Sequence, residues 1–201
     1  LYLYKKGYVA ASICGAPCET FSLARHAPPD NIPEVDKNSW PRPQRSFIQL
    51  FGFCGFRPKE LRQRKQGNTF MLQAITICIW HVLFGGLYLS EYPIPPADDS
   101  KASIWTSAII SLLRQHPDIQ LKLFDQWKWG ATVKKPMGLL GLRLPYLHRS
   151  MYACVDLTAK YPQQTATGKD ELGSFRAATY KEDPPHFSAG MARSVIAYRY
   201  A

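Results

Sequence analysis

The sequence is short of acidic residues. Asp and Glu number 15 against 25 Lys and Arg, which leaves a formal charge of +10 and a pI near 9.5. A surplus of that size on one domain points to a polyanionic partner, nucleic acid or an acidic membrane surface, and composition does not choose between them. Cysteine is scarce too. Cys14, Cys18, Cys54, Cys78 and Cys154 are odd in number and form no CxxC pair. That argues against a disulfide scaffold or a cysteine-rich zinc site and for reduced thiols in an intracellular compartment. His26, His81, His116, His148 and His186 lack metal-ligand spacing, so no metal is expected. The longest apolar stretch, residues 71–88, is interrupted by Gln73, Thr76, His81 and Gly85-Gly86. It is a poor match to the ~20 apolar residues of a membrane span, and no membrane contact is expected. Lys5 and Lys6 precede only the short apolar run 8–14, so no secretion signal is read. Glycine forms no GxGxxG loop anywhere, and no internal repeat is visible.

What remains is a chain of ordinary globular composition, 201 residues with 46% apolar and 20% charged, which fits one compact domain. It opens with Leu1, as a fragment or processed piece would. Residues 8–14 read as a buried strand closed by Gly15-Ala16-Pro17. Pro58 suits the first turn of a long helix running to about Phe84, with Leu61, Met71, Leu72, Ile75, Ile79 and Val82 as its apolar positions and Gly85-Gly86 as its stop. Residues 87–91 read as a second buried strand. Ser103 is placed to cap a helix through Gln115, with Ile104, Ala108, Ile109, Leu112 and Leu113 inward. Residues 119–124 and 137–144 read as further strands. A last helix is expected from Phe187 to about Tyr198, with Phe187, Met191, Val195 and Tyr198 in line. Strand and helix alternate as in a parallel α/β sheet, whose chemistry sits at the carboxyl ends of its strands. Cys18 follows the first strand across a tight turn and Glu91 ends the second. A thiol and a carboxylate so placed can face one pocket.

The run Gly15-Ala16-Pro17-Cys18-Glu19-Thr20-Phe21-Ser22 resembles the Pro-Cys nucleophile motif of the cytosine-5 DNA methyltransferases. Residues 87–91 with Tyr92-Pro93 resemble the family's second motif, a Glu at the end of the next strand. Asp125-Gln126-Trp127-Lys128 stands where the family has a Gln followed by Arg residues. Residues 173–178 and the following helix resemble the segment that closes the domain. The similarity extends along nearly the whole chain and is nearest to divergent, retroelement-derived segments. Glu19 replaces the usual Gln, Tyr92-Pro93 the usual Asn-Val, and Lys128 and Gly130 stand at the two Arg positions.

The resemblance implies a partial Rossmann-like, S-adenosylmethionine-dependent methyltransferase fold with a mostly parallel sheet. It would lack the N-terminal cofactor-binding strands, since the family's glycine-rich loop has no counterpart. Residues 8–125 would carry the catalytic strands and helices, 126–172 a short target-recognition region, and 173–201 the closing strand and helix. Cys18 and Glu91 would be the catalytic pair, supported by Pro17, Ser22, Gln126 and Lys128. Cofactor-binding residues are not identified, and binding of S-adenosyl-L-methionine by this chain alone is not expected.

DNA is the expected partner, in the nucleus if the source is eukaryotic. Arg25, Arg57, Arg62, Lys134 and Lys135 are the candidate phosphate contacts. They belong to two basic clusters, one with Lys59, Arg64 and Lys65, the other with Lys122, Lys128, Arg143 and Arg149. Trp127 and Trp129 are available for base stacking. The segment 24–45 is a candidate loop over the pocket. Two other readings stand beside this one: a non-enzymatic, degenerate nucleic-acid-binding remnant of a mobile-element protein, and a Cys–His hydrolase pairing Cys18 with His26 or His81.

Overall fold

The computed structural model describes residues 1–15, 20–21, 42–94, 101–162 and 184–199. Pro17, Cys18, Ser22, Arg25 and the segment 173–178 expected to form a strand lie outside the described residues. Four strands, β1 (Ala11–Gly15), β2 (Leu87–Pro93), β3 (Ile119–Asp125) and β4 (Pro136–Leu142), form one sheet in the order β1-β2-β4-β3. The helices are α1 (Tyr2–Lys5), α2 (Pro58–Phe84), α3 (Ala108–Leu113), α4 (Leu147–Tyr152) and α5 (Pro185–Arg199).

β1 and β2 pair in parallel, while β4 pairs antiparallel with both β2 and β3. Because β4 opposes both neighbours, β1, β2 and β3 all point the same way. The alternation of strand and helix in the sequence is therefore realised in direction, but the sheet is mixed and mostly antiparallel rather than mostly parallel. The cause is β4. It turns back after β3 through a short connection that only an antiparallel partner permits, and it takes the slot between β2 and β3. Its residues Met137, Leu139, Leu140 and Leu142 are buried on both faces, as a central strand requires.

Side-chain alternation along β2 and β4 feeds two cores. Tyr88, Tyr92, Leu140 and Leu142 meet Met71, Ile75 and Cys78 of α2 and Ile110 of α3. Leu87, Leu89, Met137 and Leu139 meet Leu147 and Met151 of α4 and Phe187 and Met191 of α5. Helices on both faces leave β2 and β4 enclosed and, among the described residues, β1 and β3 as edges. β1 is accordingly half-exposed rather than buried, with Ile13 48% exposed.

α2 has the bounds its terminal signals predict. Pro58 opens it, Glu60 Oε2 accepts from Arg57 N at 3.1 Å, and Gly85 and Gly86 close it at φ of 75° and 120°, which only glycine adopts without strain. Its buried stripe is Gly67, Met71, Ala74, Ile75, Cys78 and His81. Leu72, expected inward, is 46% exposed. By length and composition α2 is also long and apolar enough to cross a membrane; in the fold its inner stripe packs on the sheet. At 1.5 Å per residue, α2 spans roughly 40 Å against roughly 23 Å for β2. Because its C-terminal end feeds β2, its first turns overhang the carboxyl edge of the sheet.

The helix expected from Ser103 to Gln115 is divided. Ser103 Oγ accepts from Trp105 N at 3.2 Å and caps a single 3-10 turn, Ile104–Thr106. Ser107 then donates its hydroxyl to Ile104 O at 2.7 Å and starts α3. That side-chain bond to the backbone competes with helix continuation. Ile110 is buried, whereas Ile109 and Leu112 face solvent.

Candidate functional site

The carboxyl edge brings two of the sequence candidates, Glu91 and Gln126, together. Gly15, the last residue of β1, lies in register with Glu91 of β2. The Glu91 side chain is buried, with the residue 7% exposed, and a Cβ on Gly15 would lie 3.9 Å from Glu91 Oε2. A Cβ at Gly15 would touch the carboxyl at ordinary van der Waals distance. From the end of β3, Gln126 turns in through a short 3-10 turn and is fully buried. Its Nε2 donates to Glu91 Oε1 at 3.2 Å. Gln126, expected as a support of the nucleophile site, is thus bonded directly to Glu91. A cavity of about 380 Å³ opens beside Gln126, with Trp129, Lys135, Asp156 and His186 among its walls. Among the described residues no three His, Cys, Asp or Glu side chains gather as a metal site would require.

Cys18, Pro17 and Ser22 are outside the described residues, but both described neighbours of the Cys18 segment border this edge. Gly15 adjoins Glu91. On the other side Thr20 and Phe21 are buried, and Phe21 packs edge-on to Tyr92, the residue after Glu91, at 6.3 Å between ring centres.

Arg45 holds Thr20 and Phe21, and sequence reasoning missed it. Its Nε donates to Thr20 Oγ1 at 3.0 Å and its guanidinium lies 4.1 Å from the centre of the Phe21 ring. Burial, and then the nearby charge of Arg64, lower its pKa to about 10, so it stays a cation at neutral pH. The only sequence signal for this crossing is Gly67, a helix breaker inside α2. A Cβ there would lie 2.7 Å from Thr20 Oγ1 and 3.0 Å from Arg45 Nη2.

The basic candidates disperse. Arg57 and Arg62 are exposed on the overhanging first turns of α2, together with Lys59 and Lys65. Lys134 lies 4.4 Å from the centre of the Tyr161 ring, and the backbone N–H of Lys135 donates to Asp125 Oδ1 at 3.1 Å. Lys128 does not join Gln126 at Glu91. It lies over the Tyr152 ring at 5.3 Å, on the side of α4, because the 3-10 turn rotates it away from Gln126. Arg143 does not belong to this cluster at all. It follows the end of β4, which runs antiparallel, and so lies at the opposite edge, bonded to the end of α2. Trp129 is fully buried, donating Nε1 to Met151 O at 2.9 Å, and is not available for base stacking. Trp127 is half-buried against Tyr161.

The hydrolase pairing loses its described member. His81 is buried beside β1, with Nε2 2.9 Å from Ser12 Oγ, and burial together with the charge of Arg143 holds its pKa below the usual range. His26 lies outside the described residues. Comparison of the chain with family models, with curated proteins and with solved structures returns no match.

Proposed function

We propose that this chain is a cytosine-5 DNA methyltransferase-like domain in which Cys18 is the nucleophile and Glu91 the acid serving the ring nitrogen of a flipped cytosine. The observation that carries the reading is the register of the parallel pair. The strand that leads into the Pro17-Cys18 motif ends opposite Glu91, and the carboxyl is buried and hydrogen-bonded to Gln126. Thr20 and Phe21, just past Cys18, return beside the same strand end. The overhanging basic turns of α2 support a phosphate-binding rim on that edge.

Carbon 5 of cytosine is too poor in electrons to attack an electrophile unaided. In the proposed step the Cys18 thiolate bonds to C6, the C5–C6 π pair shifts through C4 toward N3, and Glu91 gives its proton to N3. The ring becomes an enamine whose C5 is nucleophilic. Gln126 donates to Oε1, and Oε2 lies on the Gly15 side of the carboxyl. The described residues do not fit S-adenosylmethionine. None of their strands runs into a glycine-rich turn, and β1 has no strand neighbour on its outer edge among the described residues. No step is therefore routed through a methyl donor. The same observation favours the second reading, a nucleic-acid-binding remnant that keeps the basic rim without catalysis.

Hydrogen exchange at C5 separates the two, because it needs the thiol and the acid but no methyl donor. When a solvent proton adds to C5 of the adduct, the original hydrogen can leave to water before the thiolate is expelled. DNA carrying tritium at cytosine C5 is expected to release it to water, with loss in Cys18→Ser and a drop of about 10²–10⁴-fold in Glu91→Gln. Release no greater than with Cys18→Ser, from protein that still binds DNA, selects the remnant. Binding equally strong at low and high salt removes the phosphate rim, since such contacts weaken steeply with salt.

A further inference from the structure

We propose that Arg45 is a positioning residue that fastens the chain just past the Pro17-Cys18 motif to α2 and β2. The proposal rests on the reading of Cys18 and Glu91 as the reacting pair. Arg45 is 1% exposed and, among the described residues, has no carboxylate partner. A buried guanidinium is costly, and an apolar side chain of similar volume is usually no worse for stability. What Arg45 provides instead is geometry. Its Nη1 donates to Leu50 O at 2.6 Å and Asn68 Oδ1 at 2.5 Å, Nη2 to Arg64 O at 3.4 Å, and Nε to Thr20 Oγ1 at 3.0 Å. One planar fork thus ties three segments together, which a lysine cannot reproduce.

A simple fastening of the 42–53 segment to α2 would need only the bonds to Leu50, Arg64 and Asn68. The bond to Thr20 and the cation over Phe21 reach further, to the residues that bracket Glu91 through Tyr92. Gly67 clears the space where Thr20 and Arg45 meet on α2. The arrangement holds Thr20 and Phe21 in one place relative to the end of β2.

The test uses the full chain and needs no DNA. In Arg45→Met and Thr20→Val, amide hydrogen exchange in the peptide holding Thr20 and Phe21 is expected to quicken about tenfold while β2 stays protected. The pH profile for alkylation of Cys18, mapped by mass spectrometry against exposed Cys54, is expected to change. Thr20→Ser, which keeps the hydroxyl, is expected to behave as the parent chain. The proposal is overturned if Thr20→Val leaves that peptide and the Cys18 profile unmoved, or if exchange quickens equally in β2 and α2, the sign of a merely structural loss. Should Arg45→Met not fold, the Thr20 pair still decides. Failure of tritium release in the parent chain would sink the catalytic reading alone, because the exchange and alkylation results do not depend on it.

Discussion

Two arginines reach α2 from opposite edges of the sheet, and they are buried on different terms. Arg143 sits at the C-terminal end of the helix. It donates to His81 O at 2.8 Å, Gly86 O at 3.1 Å and Val82 O at 3.4 Å, with Asp118 Oδ2 3.3 Å from its Nε and a side chain still 23% exposed. Carbonyls left open by the last turn and the helix dipole both favour a cation there. It adopts a φ of 56°, the left-handed region that L residues seldom enter, to make these bonds. Arg45 crosses the N-terminal half of the helix, with no acid partner among the described residues, close to the like charge of Arg64. The comparison teaches that the C-terminal end of α2 is secured by interactions the helix itself invites. In its N-terminal half, among the described residues, burial of a cation is offset by the neutral groups that the cation holds in place.

The comparison breaks most sharply at Arg45. Arg45→Ala is expected to cost about 3–5 kcal/mol in urea unfolding, since it leaves a cavity and several buried acceptors unpaired. A loss no larger than that of Arg143→Ala would erase the distinction between the two residues. Gly67→Ala comes next. The added methyl gains up to about 1 kcal/mol in helix propensity. It also meets Thr20 Oγ1 at 2.7 Å, so a net loss of about 1–2 kcal/mol is expected in thermal melting. A net gain would mean that the Thr20 contact is soft. Arg143→Ala is expected to cost about 1–2 kcal/mol, because water and the remaining turn can satisfy part of what it leaves.

A pH-dependent effect lies between the two arginines on the same helix. Cys78 is buried on α2, and burial, then the neighbouring Cys14, push its thiol from 9.0 up to about 12. The folded value is the higher one, so the stability it contributes is complete below pH 9 and is lost as pH rises toward 12. The melting temperature of the parent chain is expected to fall across that window more than that of Cys78→Ala. Parallel curves would place the alkaline loss elsewhere.

Some of this was legible before any coordinates. Pro58 and Gly85-Gly86 bound α2 as read, because start and stop chemistry acts within a few residues of chain. β2 is buried as its apolar run implies, but it continues through Tyr92 and Pro93 instead of stopping at Glu91, because both pair with β4. Phe187, Met191 and Val195 share the inner face of α5 as their spacing predicts. One difference is local, the serine bonds that divide a helix, and the others depend on partners distant in sequence. Ser103 and Ser107 divide a helix that propensity alone would continue. The slot that β4 occupies follows from which strands lie beside it, although its apolar residues on both faces hinted at a central position. Arg143 reads as one of several surface cations until the antiparallel return of β4 carries it to the other edge. Arg45 sits in a Pro- and Arg-rich stretch with no period to mark it as buried.

By itself the order of residues indicates where most elements begin and end, which faces are apolar, and two apolar strands, one ending at Gly15 and one carrying Glu91 near its end. Those properties depend on backbone preference and side-chain alternation, which operate over a turn or a few residues. The pairing of those two strands edge to edge, the bond from Gln126 to Glu91, and the burial of a cation against Thr20 and Phe21 were decided only by the tertiary fold. They join positions far apart along the chain, and such contacts are selected by the packing of the whole sheet rather than by any local preference.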